Sequence, residues 1–199
     1  MNLFIRGYLG PTFETKGVKA GIIMPESMNF DEYAALPALN DPVTEKYIDV
    51  IGIHAYGIGP YIPEFTVSRE KGKPVWQTEY MNQGAELQTY ENDTITDGLT
   101  YADLIGNMFT TSRISAYFYW WLAANNGADG SDLIRLCTDG EAGSPTENGL
   151  FRVFKRYYAF GNYSRFVRPG YKISKSAEPR TIIFSSLPSK IRPQVILQS

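Results

Sequence analysis

The chain has 199 residues, with 19 lysines and arginines against 21 aspartates and glutamates, so its formal net charge is −2. That charge excludes the basic surplus typical of nucleic-acid binding, and no apolar stretch reaches the roughly 20 residues that cross a bilayer. One cysteine and one histidine exclude an internal disulfide and any metal site built from several such residues, so no metal or other cofactor is expected.

The first residues of the chain follow a helical pattern. Four apolar positions share one side of this predicted helix: Leu3, Phe4, Tyr8 and Leu9. We predict that Gly10-Pro11 ends it, because proline cannot continue a helix. The segment lacks the basic front and long apolar core of a signal peptide. A chain that opens inside a helix suggests that a further segment lies upstream.

Four short apolar runs alternate with helical patterns along the rest of the chain. The predicted strands are Lys19–Ser27, Tyr47–Gly57, Pro74–Tyr80 and Ile114–Leu122. All four are apolar on both faces, which is typical of parallel strands covered by helices. Right-handed crossovers would place their carboxyl ends at one rim, and in an eight-stranded barrel that rim is the active-site face.

The last third of the chain is more varied. A polar stretch from Ala123 to Asn148 predicts a long loop, and such loops are often functional. The segment "GLFRVFKRYYAFGNYSRF" predicts an amphipathic helix whose aromatic residues belong to the core. Two short β-like runs, "TIIFSS" and "PQVILQS", complete the tail.

Each predicted strand ends on a carboxylate, an imidazole or a large aromatic side chain. These residues are Glu26, His54, Tyr56, Glu79, Trp120 and Trp121. Alternation with a period of two places Ile22, Met24 and Glu26 on one side of the first strand. The same alternation places Val75, Gln77 and Glu79 on one side of the third. If these sides face the axis of a barrel, the polar strand ends converge at its mouth.

Retaining glycoside hydrolysis is chemistry that such a rim could support. It needs two carboxyl groups about 5 Å apart, one of which acts as nucleophile. Tyr56 or His54 could keep that nucleophile ionised, and the indole of Trp120 offers a face on which a sugar ring can stack. Structural explanations stay open for Glu79, as a helix-capping or ion-paired carboxylate, and for His54, as a hydrogen-bonded structural histidine. They also stay open for Glu26 as a charge at a helix N-terminus and for Trp121 as a packed side chain.

Several segments together resemble the C-terminal half of glycoside hydrolase family 30. These segments are "KPVWQTEY", "AYFYWWL" and "RYYAFGNYSRFVRPGYKI", and "YLGPTF…IIMPES" and "IGIHAYG" fit the middle strands of that family. The resemblance runs from about Ile5 to Arg180. It implies an α/β fold: part of a (β/α)8 TIM barrel, with strands five to eight, over residues 1–170. Residues 171–199 would be a short β remnant of the side sandwich.

The resemblance also implies roles for individual residues. Glu79 matches the family's nucleophile, His54 and Tyr56 match site residues after the preceding strand, and Trp120 matches the tryptophan that floors the sugar site. Glu26 is included as a further substrate-binding candidate. The family's acid/base is the glutamate of an Asn-Glu-Pro motif, which is absent from this sequence.

The implied activity is that of a retaining endo-β-glycosidase on a β-linked plant polysaccharide, with β-1,4-xylan as the first choice. Family members that bind the glucuronic acid branch of xylan use an arginine soon after the eighth strand, whereas the first basic residue here is Arg135. The alternatives are a non-catalytic carbohydrate-binding or truncated inactive remnant, and a glucosylceramide-type β-glucoside as substrate. The expected partner is the polysaccharide, with no nucleic acid and no membrane. Because an open half-barrel leaves sheet edges unpaired, self-association or a missing N-terminal half is also expected, and secretion is expected from the substrate class.

Overall fold

The computed structural model describes residues 1–58, 61–81, 93–124, 132–136, 151–175, 182–186 and 195–197. The chain divides into two compact units. The first contains Met1–Met81 and Thr111–Tyr119, and the second contains Asn82–Thr110 and Trp120–Ser199. Within those described ranges, no helix has both the length and the apolar character needed to cross a membrane.

The first unit is built on a four-stranded sheet whose strands are parallel and follow chain order. The strands are β1 Ile22–Asn29, β2 Ile48–Tyr56, β3 Val75–Glu79 and β4 Ala116–Tyr117. The predicted α/β fold with a parallel sheet is therefore confirmed. The predicted fourth strand, Ile114–Leu122, is too long, because only Ala116 and Tyr117 pair with β3.

The first helix continues through the position where the sequence predicts its end. Helix α1, Asn2–Phe4, leads into a π-helical segment, Ile5–Leu9, and then into α2, Gly10–Lys16. Pro11 follows this π-helical turn, and in a regular α-helix its ring would clash with a carbonyl of the preceding turn. A Cβ at Gly10 would overlap the ring of Tyr47, so this glycine serves close packing. The helix ends at Gly17, whose φ of 63° is one that glycine adopts without strain.

Three short helices connect the strands of the first unit. They are α3 Leu36–Leu39, α4 Pro42–Glu45 and α5 Thr66–Glu70. Glu32 caps the start of α5, because its carboxylate accepts hydrogen bonds from the backbone N–H groups of Val67 and Ser68 at 3.1 and 3.0 Å. This cap ties α5 to the segment that follows β1.

The described residues of the second unit form two longer helices and two small sheets. Helix α6 is Ile95–Asn107, and the hydroxyl of its N-cap residue, Thr94, accepts a hydrogen bond from the N–H of Asp97. The π-helical segment Met108–Ser112 continues α6, and α7 is Lys155–Phe166. One sheet contains β5 Ala123–Ala124, β6 Ile134–Leu136 and β7 Phe151–Val153. The other is antiparallel and contains β8 Tyr171–Lys175, β9 Ile182–Ser186 and β10 Val195–Leu197. Both predicted tail strands are present as β9 and β10, while the predicted domain division after residue 170 stays a prediction.

Helix α7 buries a different set of residues from the predicted set. Tyr163 is buried, and its hydroxyl donates a hydrogen bond of 2.7 Å to the carbonyl oxygen of Ala102. Burial raises the pKa of Tyr163 to about 12. Tyr158 and Phe166 are exposed, so the prediction that all the aromatic residues of this helix belong to the core is wrong. The other buried residue of α7 is a charged one, Arg156.

In the described part of the second unit, each buried charged side chain is paired with one of opposite charge. Arg135 donates two hydrogen bonds of 2.7 Å to the Asp132 carboxylate, and both residues are almost fully buried. Arg156 contacts the Asp97 carboxylate at 3.1 Å and donates a hydrogen bond of 2.9 Å to the carbonyl oxygen of Asp132. Burial raises the pKa of the Asp97 carboxyl, and the charge of Arg156 opposes that shift. Asp132 therefore contacts both arginines, Arg135 through its carboxylate and Arg156 through its backbone carbonyl oxygen.

Candidate active site

The carboxyl ends of β1, β2 and β3 bring two carboxylates and one imidazole together. His54 on β2 is the register partner of Glu79 on β3. His54 Nε2 lies 3.6 Å from Glu79 Oε2 and also 3.6 Å from Glu26 Oε2. The two carboxylate oxygens are therefore separated by no more than twice that distance. All three residues belong to the first unit, and all three were predicted from the ends of the strands.

Glu26 reaches this group through an irregularity in β1. Pro25 pairs with Gly52 and Ser27 pairs with Ile53, so Glu26 is an extra residue in the strand, with a φ of 57°. An added residue of this kind re-aims the side chains that follow it, and strained backbone of this kind is concentrated at functional sites.

The predicted alternation along β1 is consequently wrong. Met24 is 2% exposed and faces the covering helices, whereas Ile23 is 41% exposed. A Cβ built on Gly52 would lie 2.5 Å from Ile23 Cγ2 and would overlap Glu26 Oε1. Glu26 therefore shares a face with Ile23 and Gly52, and Met24 lies on the opposite face.

A second irregularity places Glu79. Ile53 pairs with Gln77 and His54 pairs with Glu79, which leaves Thr78 as the extra residue of β3. Val75 and Gln77 are buried, whereas the Glu79 side chain is 24% exposed and faces His54. The prediction that these three residues share one side of β3 is therefore wrong, because the register shift moves Glu79 to the other face.

Thr78 takes part in the site although it was not among the predicted site residues. Its hydroxyl lies 2.9 Å from Glu26 Oε2 and 3.1 Å from the carbonyl oxygen of Ile53. The contact with Glu26 joins residues 52 positions apart in the chain. Its position next to Glu79 in "WQTEY" is the one sequence signal that could have pointed to it.

Aromatic side chains form one wall of the site. The ring of Tyr56 lies edge-on to the ring of His54, with centroids 5.9 Å apart, and Tyr80 follows at 5.9 Å from Tyr56. Burial raises the pKa of the Tyr80 hydroxyl, so this phenol stays protonated at neutral pH. Tyr56 was predicted as a site residue, and Tyr80 was not.

Trp120 lies beyond the strand on which it was predicted. Strand β4 ends at Tyr117, and Trp120 belongs to the second unit, where its ring lies 5.6 Å from that of Trp121. The prediction that these two tryptophans end the fourth strand is therefore wrong. Trp120 is 38% exposed, and its role as the floor of a sugar site stays a prediction.

Arg135 is placed by its pairing with Asp132. Its side chain is 2% exposed, and the Asp132 carboxylate accepts hydrogen bonds from two of its N–H groups.

Among the residues that the structure describes, no group of three or more histidine, cysteine, aspartate or glutamate side chains could hold a metal ion.

Gly52→Ala is expected to displace the Glu26 carboxylate, because the new methyl group would occupy the place of Glu26 Oε1. Overpacking of this kind costs about 1–3 kcal/mol of unfolding free energy. Urea unfolding measures that cost, and a structure of the variant would locate the carboxylate. Gly7→Ala is the control, because no atom outside its own helix backbone and chain neighbours lies within 4 Å of the added methyl group, and alanine in place of a helical glycine is expected to be slightly stabilising. Equal stability of the two variants would show that Glu26 does not rest on Gly52.

The chain is similar in sequence and in structure to known xylanases. No family model matches it. The glucuronoxylanase XynC of Bacillus subtilis (strain 168) is 26% identical over 172 residues, which cover 85% of this chain and 36% of that protein. Among solved structures, the glycoside hydrolase family 30 subfamily 8 xylanase Xyn30A from Clostridium acetobutylicum superposes with a TM-score of 0.63 and 27% identity, covering 92% of this chain and 40% of that chain. The resemblance to glycoside hydrolase family 30 is confirmed.

A further family 30 structure shares the fold. The catalytic domain of xylanase C from Talaromyces cellulolyticus gives a TM-score of 0.68 at 24% identity, over 90% of this chain and 39% of that chain. This chain therefore spans about two fifths of the length of the family 30 relatives it matches, and the match fits a C-terminal fragment of such an enzyme.

Proposed function

We propose that this chain carries the nucleophile of a retaining endo-β-glycosidase that cleaves a β-linked plant polysaccharide, with β-1,4-xylan as its substrate. Its four parallel strands are assigned as strands five to eight of a (β/α)8 barrel. The observation that carries the proposal is the convergence of Glu26, His54 and Glu79 at the carboxyl rim. The names of the similar proteins, which are xylanases, supply the reaction and the polysaccharide.

Glu79 is assigned as the nucleophile. Its carboxylate oxygen attacks C1 of the sugar, the bond from C1 to the leaving oxygen breaks, and a glycosyl ester forms; water then cleaves the ester and restores the carboxylate. The partial exposure of Glu79 leaves it open to a substrate. His54 supplies a nearby N–H group, which can stabilise the charge on this carboxylate.

General acid catalysis is the part of this reaction that the sequence does not provide. The family's Asn-Glu-Pro motif does not occur in the 199 residues. Absence of a positioned acid lowers the rate by about 10²- to 10⁴-fold for a leaving group that needs a proton. Cleavage by this chain is therefore expected with activated leaving groups, and a separate source of the proton is needed for xylan itself.

The pairing of Arg135 supports undecorated xylan as the substrate. The glucuronoxylanases similar to this chain are named for a xylan that carries glucuronic acid. An arginine binds a carboxylate best through a bidentate pair, and Arg135 already makes such a pair with Asp132. We therefore do not assign Arg135 to a glucuronic acid branch.

A second candidate function is carbohydrate binding without catalysis, favoured by the missing acid. A glucosylceramide-type β-glucoside is a further candidate substrate. Secretion and self-association stay predictions. One labelling experiment separates the enzymatic candidates from the binding candidate.

The test uses a 2-deoxy-2-fluoro-xylobioside with a dinitrophenolate leaving group, which departs without protonation. We expect one covalent adduct, on Glu79, found by intact-mass measurement and located by peptide mapping. Glu70→Gln is the control, because Glu70 is an exposed carboxylate on α5 outside the site, and this variant should label like the original chain. A folded chain that binds xylobiose without any adduct would support the binding candidate. Labelling by the corresponding 2-deoxy-2-fluoro-glucoside, with none by the xylobioside, would support the glucoside.

A further inference from the structure

Two residues from neighbouring strands fix the carboxylate of Glu26. The Thr78 hydroxyl contacts one carboxylate oxygen at 2.9 Å, and the other oxygen lies over Gly52, in the space that a Cβ would fill. The same hydroxyl lies 3.1 Å from the carbonyl oxygen of Ile53. Both oxygens of Glu26 therefore have a defined place, although the side chain is partly exposed.

His54 lies between two carboxylates at equal distance from each. Its Nε2 is 3.6 Å from Glu26 and from Glu79, which is beyond the length of an ordinary hydrogen bond. Its Nδ1 is buried and has no hydrogen-bond partner within the part of the chain that the structure describes. A proton on Nδ1 would be buried without an acceptor, so the neutral ring is expected to carry its proton on Nε2.

We propose that Thr78 is a positioning residue for the nucleophile. By holding Glu26 beside His54, Thr78 keeps the Nε2–H of His54 midway between Glu26 and Glu79, so that neither carboxylate receives a full hydrogen bond. This inference rests on the proposed function of Glu79. It adds a role for Thr78 and Glu26 that the assignment of a nucleophile does not require.

The position of the His54 Nε2–H between the two carboxylates affects the two steps of the reaction in opposite ways. In the first step Glu79 gives an electron pair to C1 as the leaving group departs with the C1–O pair, so a hydrogen bond on Glu79 weakens the nucleophile. In the second step water attacks C1, its proton passes to solvent, and the ester releases the Glu79 carboxylate. A hydrogen bond from His54 then stabilises the returning charge. When Glu26 leaves its place, the Nε2–H of His54 donates its hydrogen bond to Glu79 alone. This slows the first step and speeds the second.

The first test reads His54 directly by nuclear magnetic resonance. His54 is the one histidine of the chain, so labelling histidine with nitrogen-15 gives a single imidazole spectrum. At a pH where the ring is neutral, we expect the proton on Nε2. Thr78→Val and Glu26→Gln should both move the Nε2 proton resonance downfield, because the hydrogen bond to Glu79 shortens, and Thr78→Ser should keep it in place. A proton on Nδ1, or a resonance that neither Thr78→Val nor Glu26→Gln moves, would overturn the proposal.

The second test follows formation and hydrolysis of the fluoro-sugar adduct. Thr78→Val and Glu26→Gln should slow labelling by about tenfold and should speed recovery of the free Glu79 carboxylate. The reason is that Glu79 then receives a full charge-assisted hydrogen bond from His54. Thr78→Ser should restore both rates. General damage to the site would slow both steps, and that outcome rejects the proposal. If the original chain takes no label, the proposed function fails, while the resonance of His54 still decides where its proton lies.

Discussion

Glu79→Gln is expected to abolish formation of the fluoro-sugar adduct and any cleavage of activated xylosides. The amide has nearly the shape of the carboxylate, but it cannot give an electron pair to C1 as an anion. Removal of a nucleophile lowers turnover by at least about 10⁴-fold in well-studied enzymes. The rate of release of dinitrophenolate measures this effect, with intact-mass measurement of the protein as an independent reading.

The fold of this variant should be unchanged. The Glu79 side chain is partly exposed, and the contact of its carboxylate with His54, at 3.6 Å, is longer than an ordinary hydrogen bond. Circular dichroism and the urea midpoint should therefore match those of the Glu70→Gln control. Activity that survives Glu79→Gln would show that another carboxylate attacks the sugar, and Glu26 would be the next residue to replace.

Asp132→Ala is expected to destabilise the second unit by about 3–5 kcal/mol, because it leaves the charge of Arg135 buried without its partner. Both hydrogen bonds of 2.7 Å between the two residues are lost. The backbone carbonyl of residue 132 is retained, so the hydrogen bond from Arg156 can persist. Urea unfolding measures the loss, with fluorescence as the signal.

A double variant separates the unpaired charge from the loss of packing. Asp132→Leu combined with Arg135→Met replaces the pair by apolar side chains, and we expect it to recover most of the lost stability. Asp103→Ala is the surface control, because Asp103 is exposed on α6, and its effect should stay within about 0.5 kcal/mol. If Asp132→Ala is as harmless as the control, the buried pair does not hold this unit together.

Much of the first unit could be predicted from local patterns. The apolar runs around Ile22, Ile48 and Val75 indicated buried parallel strands, and the sheet has these strands in chain order. The helix at the start of the chain was also predicted, although its end was placed too early at Gly10-Pro11. Proline normally ends a helix, but this helix continues past Pro11, which follows a π-helical turn.

The sequence by itself determined that a carboxylate, an imidazole and a second carboxylate stand at the ends of three successive strands. It did not determine which way they point. Strict alternation places Glu26 with Met24 and Glu79 with Gln77, and both of these partners are buried on the opposite face. The tertiary structure reverses both placements by one extra residue in each strand, Glu26 in β1 and Thr78 in β3. Those irregularities depend on contacts between strands, namely the space over Gly52 and the hydroxyl of Thr78, and no local pattern in the sequence contains such contacts.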